Sequence, residues 1–338
     1  MENQPKIKTG KGFFRFLIFL VLVAILDFFC GKTLQFLYYK QKSGYDYRAS
    51  YAIDSTNAPG LIFGSSRANH HYVTNMLTDS LGVTFYNAGR DGQSILYDYA
   101  ILQAILKRYT PKLILLDYQD EELFYFSDSY ARLSSLLPYA KTHPEINHTI
   151  QMRSSFEKLK MISRVYPYNS LFFSMLGGIS SGVRGRVEEV NGYLPLDHPF
   201  HSLNADQNKF LSTKEPDANK IKTFDAFIDL CKLKGIELYV IMSPYYNPVN
   251  VKFTQPIDKL IQDAAVPHFD YSRFPSLVGN TDYFSDEKHL NRKGSEIFTR
   301  DLISRIYAYR RTAGVDQNLQ SAARQTSHPG KVPASKSN

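Results

Sequence analysis

Five short apolar runs punctuate the chain, and each is followed by a stretch whose apolar residues recur at helical spacing. Leu61–Phe63, Val83–Asn87, Lys112–Leu116, Ile236–Met242 and His268–Asp270 read as strands. Ala68–Leu77, Ser94–Tyr109, Asn219–Lys234, Pro256–Ala264 and Lys293–Tyr307 read as the helices between and after them. Ile221, Phe224, Ile228 and Cys231 share one helical face, with Gly235 as the stop. Strands that alternate with helices predict a parallel, doubly wound sheet, because parallel neighbours need a crossover that then covers the sheet.

Residues 121–217 interrupt this alternation. They are rich in Tyr, Phe, Ser and Gly, and a segment this long between two strands reads as a lid or substrate-binding insertion. His143, His148, His198 and His201 are scattered through it without metal-ligand spacing, so no metal is expected. Residues 312–338 are polar and aperiodic and read as a disordered tail.

At the other end, Phe16–Leu26 is an unbroken apolar run behind a basic segment, residues 1–12. Extended to 13–31 it approaches the roughly twenty residues a membrane span needs. Asp27-Phe28-Phe29-Cys30-Gly31-Lys32 lacks the small residues of a signal-peptide cleavage site, and Phe28 and Phe29 argue against lipidation at Cys30. An uncleaved anchor with a cytoplasmic N-terminus is expected, with the rest of the chain exported to the periplasmic or extracellular face. Residues 32–57 read as a Tyr-rich connector packed beside the main domain, 58–311.

The formal net charge of the 338 residues is +8, a value that raises the question of nucleic acid. Lys6, Lys8, Lys11 and Arg15 crowd one end, and Arg310, Arg311, Arg324, Lys331 and Lys336 the other. Charge placed at the ends defines no binding face on the fold, and no nucleic-acid motif accompanies it. Cys30 and Cys231, the two cysteines, fall in unrelated segments and form no disulfide framework. Neither Gly-x-Gly-x-x-Gly after the first strand nor a Walker loop is present, so no cofactor is expected.

Chemistry-bearing residues follow the strands. Gly64-Ser65-Ser66-Arg67 turns the first strand into its helix, where a serine sits at the strand's C-terminal end beside free helix N–H groups. Asn87-Ala88-Gly89-Arg90-Asp91-Gly92 follows the second strand, and Asp117-Tyr118-Gln119-Asp120 the third. Asp286 and His289 stand three apart just before the last helix, a spacing that lets the carboxylate accept from one ring nitrogen while the other takes a proton. Each of these also reads as turn or cap chemistry when taken alone.

In this order, Gly-x-Ser, Asn-x-Gly-x-x-Gly and Asp-x-x-His resemble the SGNH (GDSL-type) hydrolase superfamily over nearly all of residues 58–310 apart from the insertion. The resemblance implies a flavodoxin-like three-layer α/β/α fold with Ser66 as nucleophile, His289 as general base and Asp286 as its orienting partner. It implies Gly92 as an oxyanion donor. The family's Gly-x-Asn-Asp block departs to Asp117–Asp120, which leaves Gln119 as the candidate second donor. Ser65 competes locally with Ser66, and Arg67 is either a substrate-steering group or half of an ion pair with a neighbouring carboxylate. Two functions follow. One is a serine esterase or O-acyl(acetyl)transferase acting on a cell-envelope or exported carbohydrate. The other is a catalytically silent carbohydrate-binding subunit beside a membrane acyltransferase, with Tyr38, Tyr39, Tyr45, Tyr47, Tyr51, Tyr245 and Tyr246 as stacking surfaces.

Overall fold

The computed structural model describes residues 9–173, 175–176, 191–202, 215–249 and 251–314. Most of the tail at 312–338, the first eight residues of the basic segment 1–12, and parts of 121–217 therefore lie outside the described residues.

Five strands, β1 (Gly60–Phe63), β2 (Phe85–Asn87), β3 (Leu113–Asp117), β4 (Glu237–Met242) and β5 (His268–Asp270), form one sheet. All neighbours are parallel and their order is β2-β1-β3-β4-β5, the flavodoxin-like arrangement. Ile62 pairs with Asn87 on one side and Leu115 on the other, so the ends of β1, β2 and β3 are brought level.

Side chains alternate between two cores with the period of two that a strand imposes. Leu61, Phe63, Ile114, Leu116, Leu238 and Val240 face one core. Ile62, Leu113, Leu115, Tyr239 and Ile241 face the other. Helices α5 (Ile95–Ile105), α9 (Ala218–Leu233) and α10 (Val251–Ala264) cover the first, while α3 (Ser66–His71), α4 (Thr74–Leu81) and α11 (Arg292–Thr312) cover the second. The stretch expected as one helix, Ala68–Leu77, breaks at Tyr72–Val73 into α3 and α4. The break sets Thr74 and Leu77 against the core while Tyr72 reaches Asp117. Asp217 caps α9 by accepting from the N–H groups of Asn219 and Lys220, and Asn291 caps α11 at Gly294.

Helix α1 runs from Thr9 to Tyr39 without interruption, past the expected anchor limit at 31. Phe13 to Phe29 leave most of their apolar side chains exposed, whereas Tyr38 is 1% exposed, packed on Tyr139 and Tyr168. The expected connector is thus helical at both ends. Leu34, Leu37 and Tyr38 find an apolar face that keeps the helix going, and α2 (Gly44–Asp54) buries Ala49, Ala52 and Ile53 beside it.

The described part of 121–217 splits in two. Residues 123–173 form short turns and helices: α6 (Ser127–Ala131), a 3-10 segment (Arg132–Tyr139), α7 (Asn147–Gln151) and α8 (Glu157–Lys160). Their Leu133, Leu136, Leu137, Tyr139, Ile146 and Ile150 join the first core beside α5. Residues 191–202 instead run past the ends of β1 and β2 as a strap. It is held by Asn191 O to Asn87 N–H, Leu194 N–H to Asn69 O and His201 N–H to Ser285 O.

Candidate active site

Gly64 makes the first turn possible. Its φ is +137°, and a Cβ there would stand 2.6 Å from the Asp117 carbonyl oxygen and 2.9 Å from the Ala68 methyl. Only glycine accepts both that backbone and that crowding. Asp98, buried on α5, accepts from the Gly64 N–H. The turn then places Ser66 at the first position of α3, above the C-terminal end of β1. Here the strand order reverses between β1 and β3, the crevice where open parallel sheets hold ligands.

Residue 289 arrives from the other end of the chain. The Ser66 hydroxyl donates to His289 Nε2 at 2.7 Å, and His289 Nδ1–H donates to Asp286, 2.8 Å from Oδ2 and 3.0 Å from Oδ1. Asp286 Oδ1 also accepts from the backbone N–H groups of Lys288 and His289. Burial opposes its charge, and the hydrogen bond from His289 together with those N–H groups outweighs burial, so the carboxyl titrates below its ordinary value. Asp286 therefore stays ionised behind the ring, which fixes the tautomer with a basic nitrogen facing the hydroxyl.

Among the described residues, the backbone N–H groups of Ser66 and Gly92 have no hydrogen-bond partner. The Gly92 loop is drawn to the same rim: Arg90 N–H donates to Gly64 O, and Asn87 bridges the Ala68 carbonyl and the Gly89 N–H. Gln119 is half-buried after β3 and its carbonyl accepts from the N–H of buried Glu122, whose Oε1 accepts from Ile95 N–H at the start of α5.

Arg67 does not face substrate. It is 2% exposed: its guanidinium donates to Ser243 Oγ, Ser243 O and Tyr118 O, lies 3.6 Å from Asp117 and stacks 3.8 Å from the Tyr245 ring centroid. The steering role expected for it is corrected to a structural one, because α3 turns its side chain back under the sheet edge. Tyr245 and Tyr38 are likewise buried rather than open to a sugar, while Tyr39, Tyr45 and Tyr51 keep about two-fifths of their surface.

Two histidines on α3 were not singled out in the sequence. His71 is fully buried; its Nδ1–H donates to Ser243 Oγ and its Nε2 accepts from Leu290 N–H. Burial, then the charges of Arg67, His289 and His70, hold it well below its ordinary pKa, so it is neutral. It ties α3 to the residue after His289. The ring of His70 stands edge-on to His289 at 5.6 Å, with Nδ1 on Leu194 O and Nε2 3.3 Å from Asp91 Oδ2. Asp91 also accepts from Tyr45 and Asn69, and although half-buried it is lowered, by the His70 contact first among its partners. Only the adjacency of two histidines to the Gly-Ser-Ser turn hinted at either. Among the described residues no group of three or more His, Cys, Asp and Glu is arranged to hold a metal.

The five-stranded parallel sheet ordered 2-1-3-4-5 thus carries the hydrogen-bonded series Ser66, His289 and Asp286 at its switch point. No family model matches the chain, and no curated protein does. Solved structures do align with it. The psychrotrophic esterase EstA of a Pseudoalteromonas species is 11% identical, with 74% of this chain and 97% of that one covered at a TM-score of 0.40. A Bacteroides fragilis protein named as an acylhydrolase is 11% identical over 79% of this chain and 99% of that one, at 0.38. The acetyl xylan esterase AlAXEase is 13% identical over 74% and 98%, at 0.35. At such identities no residue's role passes from those proteins to this chain.

Proposed function

We propose that the protein is an SGNH-type serine hydrolase or O-acyltransferase, held at a membrane by α1, with its site on the exported side. The observation that carries the reading is the unbroken relay Ser66–His289–Asp286, assembled from segments 223 positions apart. His289 removes the Ser66 proton as the hydroxyl attacks an ester carbonyl, and Asp286 stabilises the imidazolium that results. The oxyanion lies against the N–H groups of Ser66 and Gly92, donors that need no reorganisation when charge develops. His289 then protonates the departing alcohol, leaving an acyl group on Ser66. Water resolves it in a hydrolase, and a sugar hydroxyl in a transferase.

A carbohydrate ester is the substrate class we favour, an acetyl ester foremost. Tyr45 supports it: its partly exposed side chain donates to Asp91 beside Gly92, a polar edge that suits a sugar, with the Arg48 guanidinium over its ring at 4.9 Å. The departure of the block after β3 to Asp117-Tyr118-Gln119-Asp120 favours the second reading, a silent binding subunit.

Labelling with a fluorophosphonate probe tests the proposal. Full-length protein is expected to label, and Ser66→Ala and His289→Ala are expected to lose labelling. Ser65→Ala is expected to retain it. A folded wild-type protein that does not label points to the binding subunit, and labelling lost in Ser65→Ala alone reassigns the nucleophile.

A further inference from the structure

Large apolar side chains crowd one short stretch after α7. Phe156, Leu159, Ile162 and Phe173 are 64%, 64%, 74% and 83% exposed. Single exposed apolar residues are ordinary on a soluble surface, but four within eighteen positions call for a covering partner. The middle of this stretch is bonded to α1. Asp27 accepts from Ser163 Oγ and from the N–H groups of Arg164 and Val165, and the Arg164 guanidinium lies over the Phe28 ring at 4.8 Å. The chains approach so closely that a Cβ on Gly31 would meet Arg164 atoms at 2.4 Å.

The length of α1 fixes where that junction lies. From Lys11 to Gly31 a helix rises about 30 Å, the thickness of a hydrocarbon core. With the lower end of the span held at Lys11, Gly31 falls at the outer boundary of the bilayer and Asp27 about one helical turn inside it. The stretch bonded there falls at the same height. The charges agree with that height: Lys141, one of three cations with Arg164 and Lys32 around Asp27, has its pKa lowered by burial and then by Arg164. Lys158 is exposed in the same stretch. Apolar side chains with lysines and arginines interspersed match the boundary between acyl chains and phosphate headgroups.

We propose that Phe156–Phe173 is a lipid-binding collar. It dips its apolar side chains into the outer leaflet beside α1 and sets Lys32, Lys141, Lys158 and Arg164 at headgroup phosphates. This inference rests on the reading of α1 as a membrane anchor. Because α1 continues unbroken into the core at Tyr38, a collar fixed in the leaflet also fixes the tilt of the domain and the height of Ser66 above the membrane.

The sequence contains no Trp, so a single introduced Trp reports its own surroundings. Full-length Ile162→Trp and Phe173→Trp are reconstituted in phosphatidylcholine–phosphatidylglycerol vesicles with brominated acyl chains. Leu22→Trp in α1 and Leu233→Trp at the end of α9, 80% exposed, serve as membrane and solvent references. The expected result is blue-shifted, bromine-quenched emission for Ile162→Trp, Phe173→Trp and Leu22→Trp, with Leu233→Trp unquenched. Quenching of Leu22→Trp alone overturns the collar and leaves the anchor standing; this is also the outcome if a protein partner covers the patch. No quenching at Leu22→Trp overturns the anchor, and the collar with it.

Discussion

Arg67 follows Ser66 in sequence but is buried against Asp117 and Ser243, and its neighbours explain how α3 is held to the loop that carries His289. Arg67 and His71 meet at the Ser243 hydroxyl, and His71 passes on to Leu290, one residue beyond the base. His71 is a positioning residue: it touches neither Ser66 nor the expected position of substrate. Removing it leaves the buried Leu290 N–H unpaired, a cost of about 1–3 kcal/mol. His71→Ala is expected to lower kcat for an ester substrate at least tenfold with little change in KM, and His71→Gln, which can still accept from Leu290, to restore part of the loss. The same residue has a pH signature. Its folded pKa is depressed, so its contribution is full above the unfolded value of about 6.5 and is lost as pH falls below it, where only the unfolded chain takes up the proton readily. Thermal stability of the wild type is expected to fall from pH 7 towards 5 more steeply than that of His71→Gln. His268, also lowered by burial, acts in the same direction in both proteins and cancels in the comparison.

At the level of elements, the site depends on turns between strands and helices more than on the strands themselves. Gly64 and Gly92 both have positive φ, +137° and +69°, but different neighbours. A methyl at 64 meets backbone and a packed Ala68, while one at 92 meets the Arg132 guanidinium, the far end of a flexible chain. Gly64→Ala is expected to destabilise by more than Gly92→Ala, with strain of the order of 1–3 kcal/mol common to both; denaturant midpoints compare them directly. Strand positions and the helices α9 and α11 were legible in the sequence because apolar period and capping residues are local signals. The break between α3 and α4 was not, since it answers to Asp117 and the second core, contacts far away in the chain. The continuation of α1 to Tyr39 was missed for the same reason: Tyr38 is helical and buried because Tyr139 and Tyr168 await it.

For the molecule as a whole, that junction joins the apolar helix to the domain. Tyr38 sits in the first core with its hydroxyl bonded to that of Tyr139. Tyr38→Ala is expected to cost about 3 kcal/mol or more, in the range of large core truncations. Chemical denaturation in detergent measures it, and a change under 1 kcal/mol would show that α1 is only a tether. The part of 121–217 read as one insertion proves to serve two ends of the molecule, the 123–173 portion packing on α1 and α5 and the 191–202 strap bordering the site.

Sequence alone determined the sheet, the apolar N-terminal helix and the residue types that end strands, because periodicity and turn chemistry act over a few positions. It also named Ser66, Asp286 and His289, but only as three polar residues in suitable turns. Tertiary structure decided that Ser66 and His289 share a proton, that Arg67 is buried, and that His71 links α3 to the loop carrying His289. Those outcomes depend on which loops the parallel crossovers bring to one edge, and a hydrogen bond 2.7 Å long between positions 66 and 289 leaves no mark on the residues between them.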